Sequence, residues 1–250
     1  MSTAARDRFR ALHAEGLFLM PNPWDVGSAR LLAGLGFPAL ATTSSGFAAT
    51  LGRKDGEVTR DELVDHVAAL VAGVDVPVSV DAERCFADDP AGVAETARLL
   101  GEAGAAGFSI EDWNPATGSI DDHATATERV GAAAEVARSA GMVLTGRAEQ
   151  HIRGNPDLDD TIARLRAYRD AGAEAVFAPG LRTLPEIERL VKAVEAPVNV
   201  LWMPGMPAVG ELAAVGVRRI SVGGGLARIA YDAAAAAARQ LLDLAPGGRI

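Results

Sequence analysis

The chain has 250 residues, 49% of them apolar and 23% charged, with a formal net charge of -9 at pH 7. This length supports one folded domain over residues 1–250, and an acidic chain with no lysine or arginine run lacks the concentrated basic surface that nucleic acid requires. The single cysteine excludes an intramolecular disulfide framework, the charged start MSTAARDRFRALHAEG lacks the apolar centre of a signal peptide, and no apolar run can span a bilayer; the expectation is a cytoplasmic protein with neither nucleic-acid nor membrane partners.

In chain order, one phrase keeps returning: an amphipathic stretch, a glycine, then a short run of apolar residues. Glycine takes the left-handed position that ends a helix, and the apolar run reads as a strand buried on both faces. The strands predicted this way are LFLMP (17–21), PALATT (38–43), VPVSVDAE (76–83), GFSIED (107–112), MVLTGRAE (142–149), AVFAPG (175–180), VNVLW (198–202) and RRISVGG (218–224). Between the second and third, ELVDHVAALVAG puts Leu63, Val67, Leu70 and Val71 on one helical face and leaves Asp61, Asp65 and His66 mostly elsewhere. The alanine-rich YDAAAAAARQLLDL near the end reads as a helix of high propensity. Eight parallel strands in such a length match an α/β fold of the (β/α)8 TIM barrel type. An open doubly wound sheet is the competitor, but its glycine-rich first turn is missing from PNPWDVGSAR.

Barrel chemistry sits at the C-terminal ends of the strands. Those ends carry Asp81 and Glu83, Glu111 and Asp112, Arg147 and Glu149, Asn199, and the run Thr43, Ser44, Ser45, Gly46. Asp81 and Glu83 stand two apart, which on one strand points them the same way, and Glu111 from the next strand adds a third acid. Such acids repel one another unless a cation intervenes, and Mg2+ suits oxygen ligands held partly through water. No closely spaced His or Cys set favours zinc. Asp112 also reads as a strand-end ion pair with arginine. Trp113 and Trp202, just past strand ends, read either as walls of a substrate pocket or as packing under the loops. Asp25 reads as a helix cap. Gly223 to Gly225 open a rival reading, a phosphate cradle at a helix start.

The run PNPWDVGSARLLAGLGFPALATTSSGFAATLGRKDGE, followed in order by VPVSVDAE, GFSIED, TGRAE and VNVLWMPGMPAVGELAAVGVRRISVGG, resembles the isocitrate lyase and phosphoenolpyruvate mutase superfamily across residues 17–230. The resemblance implies a divalent cation, Mg2+ with Mn2+ as the alternative, and an enolate made from a small 2-oxo or 2-hydroxy acid. It implies Asp81 as the principal metal ligand, with Glu83, Glu111 and Asp55 acting mainly through water. It matches Ser45, Gly46 and Phe47 to the stretch that holds the substrate carboxylate, and Arg147 to the arginine that clamps its anionic end. Glu111, Arg147 and Cys85 are the catalytic candidates, and Asn199 and Trp113 complete the substrate-binding set. It also implies a homo-oligomer, a dimer or tetramer with exchanged C-terminal helices.

The departures are specific. Where relatives carry a lyase cysteine motif after the fourth strand, this chain has EDWNPATGSIDDH, with no cysteine and no lysine. Asn114 alone matches the asparagine of phosphonate enzymes, and residues 114–122 stand where a gating loop is expected. Cys85, beside Arg84, is either a proton donor from a different loop or a small packed hydrophobe. His151 reads as an acid or base, or as a surface residue. The expectation is a lyase that cleaves a C–C bond; C–P chemistry, or metal-dependent binding of a 2-oxo acid without turnover, are the alternatives.

Overall fold

The computed structural model describes residues 3–243. Its strands are β1 (Phe18–Leu19), β2 (Leu40–Ala41), β3 (Val78–Asp81), β4 (Gly107–Glu111), β5 (Trp113–Asn114), β6 (Ser119–Ile120), β7 (Val143–Arg147), β8 (Ala175–Phe177), β9 (Val198–Leu201) and β10 (Arg219–Ser221). Its helices are α1 (Thr3–Leu12), α2 (Val26–Gly34), α3 (Ser44–Thr50), α4 (Arg60–Gly73), α5 (Pro90–Glu102), α6 (His123–Ala140), α7 (Leu158–Asp170), α8 (Leu184–Val194), α9 (Val209–Ala214) and α10 (Gly225–Asp243).

Eight strands form one parallel sheet in the order β1-β10-β9-β8-β7-β4-β3-β2. The sheet curls until its two ends meet, where Ala41 N donates to Pro21 O at 3.1 Å and Asn22 Nδ2 to Thr42 O at 2.9 Å. Each of the eight predicted strands is present. The period-2 pleat sends Val80, Phe108, Ile110, Leu144, Val176, Val198 and Val200 outward into the large core beneath the helices. A smaller cluster of Phe9, Phe18, Met20, Ala39, Ala41, Ala106 and Val143 closes the strands' N-terminal end with α1. The sequence reading gave α1 no role. Arg6 secures it by donating to Ala105 O, Ala140 O and Gly101 O at 3.0, 2.7 and 2.6 Å, satisfying carbonyls at and beyond the ends of α5 and α6.

Most of the stretch 114–122, where a gating loop is expected, is folded onto Trp113 as paired strands. Trp113 pairs with Ile120 and Asn114 with Ser119 in an antiparallel hairpin. Asn114 starts its turn: its side-chain oxygen accepts from Ala116 N at 3.0 Å, its carbonyl accepts from Gly118 N at 2.9 Å, and Gly118 supplies the left-handed φ of +65°. Arg84 clasps the hairpin's base through both oxygens of Asp121, at 3.0 and 3.2 Å.

Helix α10 leaves the barrel. From Arg228 to Leu242 every residue is exposed, including Ile229 at 62%. Leu31 on α2 and Leu35, the residue that caps its C-terminus, are exposed as well. Among the described residues no helix is long and apolar enough to cross a membrane.

Candidate active site

At the C-terminal ends of the strands lies a cavity of ≈180 Å³, lined by Thr43, Ser44, Ser45, Asp55, Asp81 and Arg147 at its mouth and by Ser79, Ser109, Asn199 and Arg219 deeper down. Arg147, the last residue of β7, organises the mouth. Its Nη1 lies 3.2 Å from Asp81 Oδ1 and 3.3 Å from Glu111 Oε2, and its Nε donates to Glu149 Oε1 at 2.6 Å. Burial opposes the arginine's charge, but Glu111, Glu149 and Asp81 outweigh burial and hold its pKa above the ordinary arginine value. The sequence reading gave Arg147 wholly to the substrate; here its Nε and Nη1 already hold acids. Its Nη2 has no hydrogen-bond partner among the described residues.

Asp81 closes β3, and the connection from β2 into α3 holds it. Its Oδ2 accepts from Ser44 N at 3.3 Å and its amide donates to Thr42 Oγ1 at 2.9 Å. Glu83 is not on the strand. The strand ends at Asp81, and Glu83 takes φ +49°, so the two-apart argument fails there. Its carboxyl still reaches the mouth, where it borders a second hollow with Asp55, Glu111 and Trp113. Burial, then Asp81 and Asp55, push Glu83 up to about 8. Burial likewise raises Glu111 well above the carboxylate range, against the pull of Arg147. Asp55 is exposed on its loop.

Among the described residues no three Asp, Glu, His or Cys side chains gather closely enough to cage a metal ion directly. Four carboxylates nevertheless border the two adjoining hollows, and burial first, then the neighbouring acids, raises Glu83 and Glu111. That donor set fits a hard divalent cation held by one or two carboxylates and otherwise through its own waters. Asp81 and Asp55 border the strand-end cavity, and Asp55, Glu83 and Glu111 border the adjoining hollow.

The substrate-binding candidates separate. Ser45 borders the cavity, with its Oγ 3.2 Å from Thr43 Oγ1. Gly46 and Phe47 do not border it: their amides bond to Thr43 Oγ1 at 3.4 Å and Thr43 O at 3.0 Å, inside the first turn of α3. Gly46 is needed for packing, since a Cβ there would stand 2.6 Å from Thr43 Cγ2. The Phe47 ring stacks on His66 at 3.8 Å, so His66 is buried rather than on the solvent face, and burial pulls its pKa down to about 4. Asn199 lines the cavity with both ends of its amide engaged, by Ser221 Oγ at 2.9 Å and Arg219 Nε at 3.0 Å. Trp113 walls the second hollow, whereas Trp202 donates to Pro207 O and borders neither space.

Cys85 is misplaced for a proton donor. It is fully buried in the outer core, borders neither space, and burial pushes its thiol up to about 12. Of the imagined phosphate cradle at Gly223 to Gly225, the Gly223 amide is already taken: it and the Val222 amide both donate to Asn22 Oδ1 at 2.9 Å. His151 also stays outside both cavities, its pKa lowered by partial burial. Asp25 caps α2, its Oδ1 accepting from Ser28 N at 2.6 Å. Asp112 is structural: its Oδ2 accepts from Tyr168 Oη at 2.7 Å and Arg164 Nη1 at 3.3 Å, and its Oδ1 accepts from Glu149 N at 2.8 Å.

Two arginines escaped the sequence reading. Arg153 lies over Trp113, 4.2 Å from Cζ to the ring centre, and donates to Glu149 Oε2 at 3.0 Å. Arg219 sits deep in the lumen, bound to the neutral partners Asn199, Thr145 and His13, and burial brings its pKa down to about 9. Neither has a local signature, because each is defined by residues distant in sequence.

A sequence profile of the phosphoenolpyruvate phosphomutase family matches residues 9–242. A Burkholderia cenocepacia protein of known structure, assigned only as a lyase or mutase, is 50% identical, with a TM-score of 0.92 over 95% of this chain and 88% of that one. The oxaloacetate decarboxylase of Paraburkholderia xenovorans is 32% identical over 232 residues, 87% of this chain and 75% of its own. The crystal structure of a 2,3-dimethylmalate lyase superposes with a TM-score of 0.87 at 26% identity, covering 99% of this chain and 90% of that one. Family profile, barrel and strand-end acids coincide: the chain belongs to the phosphoenolpyruvate phosphomutase family, within the isocitrate lyase and PEP mutase superfamily of enzymes acting on small 2-oxo and 2-hydroxy acids.

Proposed function

We propose that the protein is a Mg2+-dependent lyase, with Mn2+ as an alternative metal, that cleaves a C–C bond of a small 2-oxo or 2-hydroxy carboxylic acid through an enolate. The observation that carries this reading is the mouth itself: Asp81 and Glu111 share Arg147 beside a cavity of ≈180 Å³ that also presents the Ser45 hydroxyl. Bound at Asp81, the cation supplies Lewis acidity toward the substrate's oxygens. Ser45 orients the substrate carboxylate, and the unengaged Nη2 of Arg147 meets its charge at fixed geometry, with little reorganisation. Glu149, through Arg147 Nε, holds that guanidinium in plane. C–C chemistry is preferred to C–P chemistry because the hairpin carries no lysine and because two of the similar proteins are a decarboxylase and a dimethylmalate lyase.

The same proposal includes a homo-oligomer, a dimer or tetramer built by exchange of α10. The support is the unpartnered length of that helix and the bare leucines of α2 and its C-terminal cap, which an eighth barrel helix would cover.

NMR of the protein with Mg2+ and a panel of oxaloacetate, 2-alkylmalates, isocitrate, methylisocitrate and phosphonopyruvate tests the reaction, with EDTA as control. A Mg2+-dependent product of C–C cleavage is expected, and it should vanish in Asp81→Asn. In Arg147→Ala, oxalate affinity should fall by about 1.5–3 kcal/mol, the worth of hydrogen bonds to a charged group. Absence of turnover together with absence of Mg2+-dependent oxalate binding refutes the proposal.

A further inference from the structure

The second hollow, of ≈140 Å³, adjoins the strand-end cavity and shares Ser44, Asp55 and Arg147 with it. Its far wall is Trp113, Pro115 and Arg153. Two features fix the Arg153 guanidinium before any ligand arrives: the 4.2 Å stack on Trp113 and the 3.0 Å bond from Nε to Glu149. The Glu149 carboxylate is 1% exposed and also takes Arg147 Nε at 2.6 Å, so one buried acid holds both arginines by the same edge. The Nη groups of Arg153 are left over. Among the described residues the acid facing Nη2 is Glu111 Oε1, at 3.9 Å, beyond hydrogen-bond range. A planar guanidinium held by stacking, with its outer fork open, is matched to a carboxylate or another planar anion.

We propose that Arg153 reads a second anionic group on the substrate, at the end remote from the Ser45 and Arg147 carboxylate site, and so makes the enzyme selective for diacids over monoacids. The inference rests on the 2-oxo or 2-hydroxy acid reading above. Arg153 and Trp113 form the specificity wall of the pocket, supplied by the β7 loop and the hairpin. A competing role as a mere clasp between hairpin and barrel makes a different prediction, since loss of a clasp weakens every ligand alike.

Titration calorimetry in Mg2+ separates these outcomes. The ligands are oxalate and two matched pairs that differ in one terminal carboxylate, 2-hydroxybutanoate with malate and 2-oxopentanoate with 2-oxoglutarate. The proteins are wild type, Arg153→Met and Arg153→Lys. Wild type should bind at least one diacid about tenfold or more tightly than its monoacid, as a charged fork implies. Arg153→Met should abolish that preference while leaving oxalate and the monoacids within about twofold, and Arg153→Lys, which keeps the charge, should retain part of it. A wild type without diacid preference at either length, a preference that survives in Arg153→Met, or an equal loss for all ligands overturns the inference. If wild type binds neither oxalate nor any of the acids, the reading of the site as a 2-oxo or 2-hydroxy acid site fails, and the role of Arg153 fails with it.

Discussion

Replacing Tyr168 by phenylalanine takes one oxygen out of the interior, and with it the 2.7 Å hydrogen bond to Asp112 Oδ2. Both side chains are almost wholly buried, so water does not replace the lost donor. The ring stays in place: it packs so tightly on β7 that a Cβ on Gly146 would stand 2.7 Å from Tyr168 Cβ. The expected cost is therefore that of one hydrogen bond to a buried charged group, about 1.5–3 kcal/mol, with almost no cavity contribution. For a chain of this size that lowers Tm by roughly 3–12 °C. The sign with pH follows from Asp112, whose carboxyl is raised by burial against the bonds from Glu149 N, Tyr168 and Arg164. Without Tyr168 it rises further. The folded variant then keeps this proton over a wider pH range, and its stability falls more steeply than wild type as pH climbs above about 4. Thermal unfolding followed by circular dichroism at pH 4.5 and 8, at one protein concentration, measures both effects. A shift under about 1 °C, or a deficit no larger at pH 8 than at 4.5, refutes the argument that Asp112 is a buried, hydrogen-bonded carboxylate.

His13 gives a second pH test. It bonds Phe9 O through Nδ1 at 2.8 Å and faces Arg219 Nη1 through Nε2 at 3.1 Å, and burial, then Arg219, pull its pKa down to about 3. Between there and the unfolded value of about 6.5 only the unfolded chain binds the proton, so wild type should lose roughly 2 kcal/mol from this residue on going from pH 7 to 5. In His13→Gln that loss should vanish from urea unfolding curves, and equal pH dependence in the two proteins counts against the assignment. Gly107→Ala should cost about 1–3 kcal/mol, because its Cβ would lie 2.5 Å from Val143 O and 2.8 Å from Phe9 Cε1. An unchanged Tm would refute this close packing, since both β7 and α1 would have to yield. Ile229→Asp on α10 should reduce the proposed oligomer to a smaller species by light scattering with the far-ultraviolet spectrum intact; a wild type that is already monomeric disproves the helix exchange.

The barrel was legible because each strand repeats the same local evidence, a helix-ending glycine followed by an apolar run. The strand-end acids were legible for the same reason, since topology makes every such end part of the mouth. Legibility stopped where the strands did. Alternation places Asp81 but not Glu83, whose φ of +49° lies outside any pleat. Phe47 was assigned to substrate, yet its partner His66 comes from a different helix. The hairpin had a readable turn in Asn114, Pro115 and Gly118, left unused when the stretch was read only as the place of a gating loop. Arg153 and Arg219 had no signal, because a cation's role depends on which acids, rings or neutral groups the fold brings to it.

The loop after β3 holds Glu83, Cys85 and Phe86 at φ +49°, +58° and +53°, and none of the three is glycine. Each left-handed residue costs about 1–2 kcal/mol, so the isolated segment has little tendency to adopt this shape. What holds it comes from elsewhere: Thr96 Oγ1 on α5 bonds Cys85 O at 2.7 Å, and Arg129 Nη2 on α6 bonds Arg84 O at 2.5 Å, from 11 and 45 residues away. The placement of Glu83 at the mouth therefore depends on α5 and α6, whereas Asp81 is held by Ser44 N and Thr42 Oγ1. Thr96 and Arg129, which border neither hollow, are thus remote levers on one acid of the cluster: their replacement is expected to displace Glu83 and to leave Asp81 where it is.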